Sequence, residues 1–140
     1  MRVSSRAIIV EDGKLLTMFR RRIKDGKIKE YYVIPGGGLE EGETLQQNVT
    51  RELKEEMNVD IKILGYLGRR DDETTSDHYF HCKITKGEPK LGGEELDRMT
   101  KENFYEPRFV DVAKLDSIDL YGKEFVGKAL KKDYLNQIEK

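Results

Sequence analysis

The sequence predicts a mixed domain of the α/β or α+β class, and three observations predict it. Short apolar runs such as "RAIIV" and "YYVI" read as strands. One amphipathic stretch, beginning at Leu45 and reaching Met57, reads as a helix with a start and a stop signal. Strand-like and helix-like segments interleave, with no repeat, linker or low-complexity tract between them.

Taken in order, "RAIIV" is a buried strand, "EDG" turns the chain, and "KLLTMF" returns as the partner of a hairpin. "RRRIKDGKIKE" reads as a polar connection with a turn at Asp25-Gly26. "YYVI" is a third strand, ended by Pro35 and three glycines. Thr44 followed by Gln47 is a capping box that opens the helix. Leu45, Val49, Leu53 and Met57 form its apolar stripe, and Asn58 stands where a left-handed closing residue is expected. "VDIKILGYLG" and "HYFHCKIT" read as strands, the second placing Phe80, Cys82 and Ile84 on one side. "GEPKLGGEELDRMTKEN" reads as a long polar loop, and "FYEPRFVDV" as a strand broken by Pro107. From about Lys123 the chain is amphipathic, with Val126, Leu130, Tyr134 and Ile138 on one stripe, and it reads as a packing layer.

Length and composition bound the function. A chain of 140 residues fits one domain, residues 1–140, large enough for a real core. Charged residues are 38% of the chain, yet the net charge is −1, so no overall field favours nucleic acid or an anionic membrane. An anionic substrate then needs local charges or a metal. The single cysteine, Cys82, excludes an internal disulfide, fits a reducing, cytoplasmic setting and reads as a small core residue. The N-terminal apolar run, Ala7 to Val10, is too short for a signal segment or a membrane span.

The stretch "PGGGLEEGETLQQNVTRELKEEMNV" raises a sharper question. At 100° per residue, Glu52, Glu55 and Glu56 share an arc of about 100° on the helix, and Lys54 points away from it. Like charges so spaced repel. Oxygen donors converging from one helix face suit a hard cation such as Mg²⁺ or Mn²⁺, and the adjacent glycines leave backbone close by. The bland alternative is a solvated acidic face balanced by Arg51 or by lysines from elsewhere.

The spacing resembles the Nudix box. Gly37, five residues, Glu43, seven residues, then Arg51-Glu52-Leu53-x-Glu55-Glu56-x-Asn58-Val59 matches every fixed position but the last glycine, here Asn58. Asn tolerates positive φ, so the departure is mild. The resemblance implies an α/β fold of the Nudix type, an α/β/α sandwich around a mixed β-sheet. It implies hydrolysis of a nucleoside diphosphate linked to another moiety, with Mg²⁺ or Mn²⁺. By position, Glu52, Glu55, Glu56 and the Gly36 carbonyl stand as metal ligands, and Gly37, Glu43 and Arg51 as the loop glycine and the pair that braces loop against helix. The carboxylate that activates water is either Glu52 or a later loop acid, for which Glu94 and Glu95 are the candidates.

Outside the box the signals are weaker. Arg20 and Arg22 point to one side of their strand and Arg21 to the other, so one of them can hold a phosphate or merely guard a strand edge. Arg69 and Arg70 allow the same two readings. His81, opposite Phe80 and Cys82, is either a base or ribose contact or a polar residue on a solvent face. Tyr31, Tyr32, Phe104 and Tyr105 offer either a stacking wall or sheet packing.

Two functions of different class fit: a hydrolase, or a module that binds a nucleotide or a partner without turnover. Loss of box glutamates would favour the second, and none is lost. A decapping role would call for a basic RNA-binding surface, which this near-neutral chain lacks. A small nucleotide or pyrophosphate compound is the expected partner, with a lean to a nucleoside di- or triphosphate over ADP-ribose, dinucleoside polyphosphates or nucleotide sugars. The oligomeric state stays open, a homodimer included.

Overall fold

The computed structural model describes residues 1–135, and of Glu94 and Glu95 the backbone alone. The elements follow as β1 (Arg2–Ile8), β2 (Val10–Glu11), β3 (Lys14–Lys24), β4 (Lys27–Val33), β5 (Gly36–Gly38), α1 (Leu45–Met57), β6 (Asp60–Asp71), β7 (Thr75–Lys86), α2 (Gly93–Arg98), β8 (Asn103–Asp111), a 3₁₀ segment (Val112–Ser117) and α3 (Lys123–Leu130). One sheet has the order β5-β1-β7-β6 and is mixed, with β1 parallel to β7 and the other pairs antiparallel. The second is antiparallel and built around β3, which pairs with β2, β4 and β8.

The apolar runs are continuous because both faces of these strands are covered. Ala7 and Ile9 join a core with α1, through Leu45, Val49, Leu53 and Met57. Ile8 between them faces a second core with α3 and the 3₁₀ segment, through Leu115, Phe125, Val126 and Ala129. Helices therefore flank strands on both sides, as the sandwich requires, and the mixed sheet has an antiparallel companion. Phe80 and Cys82 are buried on the α1 side, as their alternation predicts. Burial pushes the Cys82 thiol well above its usual range, so it stays a core residue.

Three segments depart from expectation. "RRRIKDGKIKE" forms the two arms of a hairpin, paired from Arg20↔Tyr31 out to Lys24↔Lys27. Asp25 and Gly26 both take positive φ, 53° and 73°, the requirement of the tight type I′ turn. Its outer residues are largely exposed, so no apolar alternation announced the strands. Pro107 does not break β8, because β8 pairs with β3 alone and its outer edge needs no donor. The expected C-terminal stripe is cut short: α3 ends at Leu130, Lys132 takes φ 54°, and the buried face is Phe125, Val126 and Ala129. Ile138 lies outside the described residues. Among the described residues no helix is long and apolar enough to cross a membrane.

Candidate active site

The site grows from how α1 is fixed at both ends. Thr44 and Gln47 exchange the two hydrogen bonds of a capping box, 3.1 and 2.9 Å. At the other end Asn58 takes φ 57°, the left-handed geometry its position demands. Its amide also donates to the Lys90 carbonyl at 2.7 Å, while Lys90 and Gly92 donate to the carbonyls of Met57 and Glu56 at 3.0 and 2.9 Å. The expected long loop is thus clasped to the end of α1, and within it α2 begins at Gly93, beside the Glu55 carbonyl.

The glycine loop is held just as firmly. β5 pairs with β1, setting Gly36 opposite Arg6 and Gly38 opposite Ser4. Buried Asn48, one turn before Glu52 on α1, donates to the Gly37 and Gly38 carbonyls at 3.2 and 3.1 Å. The Gly36 N–H donates to Glu56 Oε2 at 3.2 Å. A side chain at either glycine would displace a neighbour: a Cβ on Gly37 would lie 2.4–2.5 Å from the Glu52 carboxyl, and one on Gly36 would lie 2.1 Å from the Ser5 carbonyl oxygen.

Arg51 answers the question of repulsion. Its guanidinium reaches Glu43 at 2.6 and 3.0 Å, Glu40, Glu52 and Glu55 at 3.1 Å each, and donates to the Gly38 carbonyl at 3.0 Å. Four carboxylates and the loop share one cation. The Glu43–Arg51 brace implied by the box spacing is present, and Arg51 also neutralises part of the acidic face, the alternative that the sequence left open. Lys54 pairs with Asp60 instead, at 3.2 Å. Glu52 is 15% exposed against 56% for Glu55, so the arc straddles a rim.

The Arg51 hydrogen bonds hold the Glu43 carboxyl below the usual carboxylate range, against burial, which pushes it up. A carboxylate with a depressed folded value stabilises the fold above its unfolded value, and that stability is lost as pH falls through the folded one. Urea midpoints measured in chelator should therefore drop on acidification below the usual carboxylate range. Glu43→Gln should flatten that drop; an unchanged slope would mean that other carboxylates carry it.

Between the glycine loop, α1 and α2 opens a cavity of about 520 Å³, lined among others by Gly36, Gly37, Glu52, Glu55, Glu56 and Arg20. A larger hollow of about 780 Å³ lies on the outward side of α1, but neither Glu52 nor Glu56 lines it. The cavity brings the carboxylates of Glu52, Glu55 and Glu56 beside the Gly36 backbone, oxygen donors of the kind that Mg²⁺ or Mn²⁺ takes, with arginines around them, and its glycine cradle is one that a Cβ would fill. Among the described residues no three carboxylate, histidine or cysteine side chains stand close enough to make a ready ligand set. Arg51 draws Glu52 and Glu55, and the Gly36 N–H draws Glu56.

The other candidates divide. Arg20 lines the cavity, hydrogen-bonded to the Tyr105 hydroxyl at 3.1 Å with its guanidinium 4.7 Å from that ring. Arg22 is exposed further along β3 and does not line it. His81 is not brought to the glutamates: it bonds the Tyr134 hydroxyl, and burial lowers its pKa. Arg69 and Arg70 are likewise elsewhere, ion-paired with Asp71 and Glu124. Of the four aromatics, Tyr105 alone lines the cavity, while Tyr32 and Phe104 pack on Phe19. Glu94 and Glu95 have side chains outside the described residues. Asn48 and Arg2, which also lines the cavity, had not been singled out. Asn48 had left a signal, a polar residue one turn before Glu52; Arg2 had left none, since its place depends on the β1–β5 pairing.

Known proteins resemble this chain in sequence and in fold. An ADP-ribose pyrophosphatase of Methanocaldococcus jannaschii is 39% identical over 61 residues, 44% of this chain and 34% of that protein. An NAD-capped RNA hydrolase, NudC, of Vibrio atlanticus is 42% identical over 57 residues, 41% of this chain and 20% of that protein. The matched segments span about a third and a fifth of these curated relatives. A crystal structure of an ADP-ribose pyrophosphatase from Streptococcus suis superposes with a TM-score of 0.65 at 19% identity, covering 99% of this chain and 96% of that one. A NUDIX hydrolase from Nitrosomonas europaea gives 0.68 at 18%, covering 97% and 76%. At such identities the structures share the fold. The NUDIX domain family itself matches residues 1–127, which takes in both sheets, the glycine loop and the glutamate helix, and the chain belongs to that family.

Proposed function

We propose that the protein hydrolyses a phosphoanhydride bond in a nucleoside diphosphate linked to another moiety, with Mg²⁺ or Mn²⁺ bound by Glu52, Glu55, Glu56 and the Gly36 carbonyl. The observation that carries this reading is the cavity in which the glycine loop and the box glutamates meet. A bound divalent cation would neutralise phosphate oxygens and acidify its water. The chain's own residues do the rest. Arg51 and Asn48 fix the loop backbone against α1. Glu52, or an acid from α2 such as Glu94 or Glu95, accepts the proton of the attacking water. Arg20, held by Tyr105, offers guanidinium N–H groups to phosphate oxygens.

Turnover of at least one compound is expected on a panel of nucleoside triphosphates, ADP-ribose, dinucleoside polyphosphates and nucleotide sugars. It should require Mg²⁺ or Mn²⁺ and stop with chelator. Hydrolysis indifferent to chelator, or none on the panel, would sink the reading and leave the non-catalytic nucleotide-binding module.

A further inference from the structure

Beside the glutamate cavity lies a smaller one of about 150 Å³, whose wall includes Arg2, Arg6, Arg20, Gly36, Glu56 and Tyr105. Its origin is readable in the strands. The two-residue period of β1 puts Arg2, Ser4 and Arg6 on one side. β5 beside them is all glycine, so no side chain fills the space. Arg20 comes from β3.

The Arg2, Arg6 and Arg20 guanidiniums thus share this wall with Glu56, and Arg6 is also ion-paired with Asp77. Arg6 is fixed by donating to the Ile34 carbonyl at 2.9 Å and by Asp77 at 3.4 Å. Arg20 is fixed between the rings of Tyr31 and Tyr105, 5.4 and 4.7 Å from their centres. The Arg20 Nε is buried and has no hydrogen-bond partner among the described residues. A buried donor left unmade is costly and calls for an acceptor. Among the described residues Arg2 makes no side-chain hydrogen bond or ion pair, and its guanidinium lies 3.3 Å from where a Gly38 Cβ would stand.

We propose that Arg2, Arg6 and Arg20 form a subsite for a terminal phosphate, which makes the substrate a nucleoside polyphosphate with a free phosphate end. This rests on the hydrolase reading above and names its substrate class. The charge decides the point. A pyrophosphate capped at both ends carries its negative charge on the bridging phosphates, next to the cation that the glutamates would hold. A free terminal phosphate on the polyphosphate chain adds a charge of about −1.5 to −2 and three acceptor oxygens. With Arg6 balanced by Asp77, the Arg2 and Arg20 guanidiniums match that added charge. The volume is well below the roughly 300 Å³ at which sites for whole small molecules begin, so a phosphate suits it and a nucleoside does not.

The test has two arms. In chelator, ³¹P NMR titration with inorganic phosphate should show binding to the wild type, weakened about tenfold by Arg2→Gln, Arg6→Gln or Arg20→Gln. Lys27→Gln, an equal loss of charge at the exposed hairpin tip, should change nothing. With Mg²⁺, the Arg2 and Arg6 variants, which alter guanidiniums outside the general phosphate contact made by Arg20, should lower kcat/KM about tenfold or more for a nucleoside triphosphate, and under threefold for ADP-ribose. Arg2 is exposed, so its variant folds even if Arg6→Gln does not. Phosphate bound equally by wild type and the Arg2 and Arg20 variants, or equal losses on both substrates, would overturn the subsite. Absence of turnover on every substrate would defeat the hydrolase reading, and the phosphate titration would still decide the subsite alone.

Discussion

Glu56→Gln is expected to lower kcat by about 10²–10³, the scale for losing one electrostatic group at a reacting centre. Glu56 accepts from the Gly36 N–H at 3.2 Å and lines both the larger cavity and the arginine pocket. A glutamine keeps an oxygen for that N–H, so thermal stability in chelator should hold and the loss should fall on turnover. The matched control is Glu30→Gln, an exposed position on β4 opposite Arg21. Steady-state kinetics of both variants on the best panel substrate decide the matter. Comparable losses at Glu30 and Glu56 would move the chemical centre away from α1.

Gly36→Ala and Gly37→Ala should fail in opposite ways, although the residues are adjacent. At Gly36 the new methyl would meet backbone, 2.1 Å from the Ser5 carbonyl oxygen and 2.7 Å from the Arg6 Cα, at φ 153°. Backbone cannot swing aside, so β5 must leave β1. Overpacking and the disfavoured φ together should cost about 3 kcal/mol or more, which at this size lowers Tm by about 10 °C. At Gly37 the methyl would meet only the end of the Glu52 side chain, 2.4–2.5 Å away. That carboxylate can rotate, so Tm should hold while kcat falls at least about tenfold, because Glu52 leaves its place. Thermal unfolding in chelator, paired with kinetics, separates the two. A Gly37 variant as unstable as the Gly36 one would show that Glu52 is structurally fixed.

How much of this was legible follows from what each feature depends on. The caps of α1 and its stripe are local, decided by residues three and four apart, and Thr44, Gln47 and Asn58 take the expected roles. The strand runs showed because two cores bury their opposite faces. The β3–β4 hairpin arms were misread because exposed charged strands carry no alternation, leaving only Asp25-Gly26 as a signal. The C-terminal stripe was misread because apolar residues four apart continue past Leu130, where the helix stops. In the site, Glu43, Arg51 and the glutamates lie within one local segment and showed through their spacing. Arg2 and Arg6 come to it from a strand remote in sequence, so nothing near them in the chain marks them, and Tyr105 stands out only as one of four aromatics. Arg20 and Arg22 were indistinguishable by alternation, and distance along β3 separates them.

The many-sided anchorage of Arg51 separates folding from metal supply. In small metal-organised domains the ion is the keystone, and chelation collapses the chain. Here the guanidinium already ties the loop to the helix and answers four carboxylates. On the metal-dependent reading proposed above, the protein would mature before it meets a cation, keep its shape through scarcity, and trade one ion for another without dismantling itself. Ion occupancy would then be a reversible setting of a finished machine, governed by the ions around it at any moment.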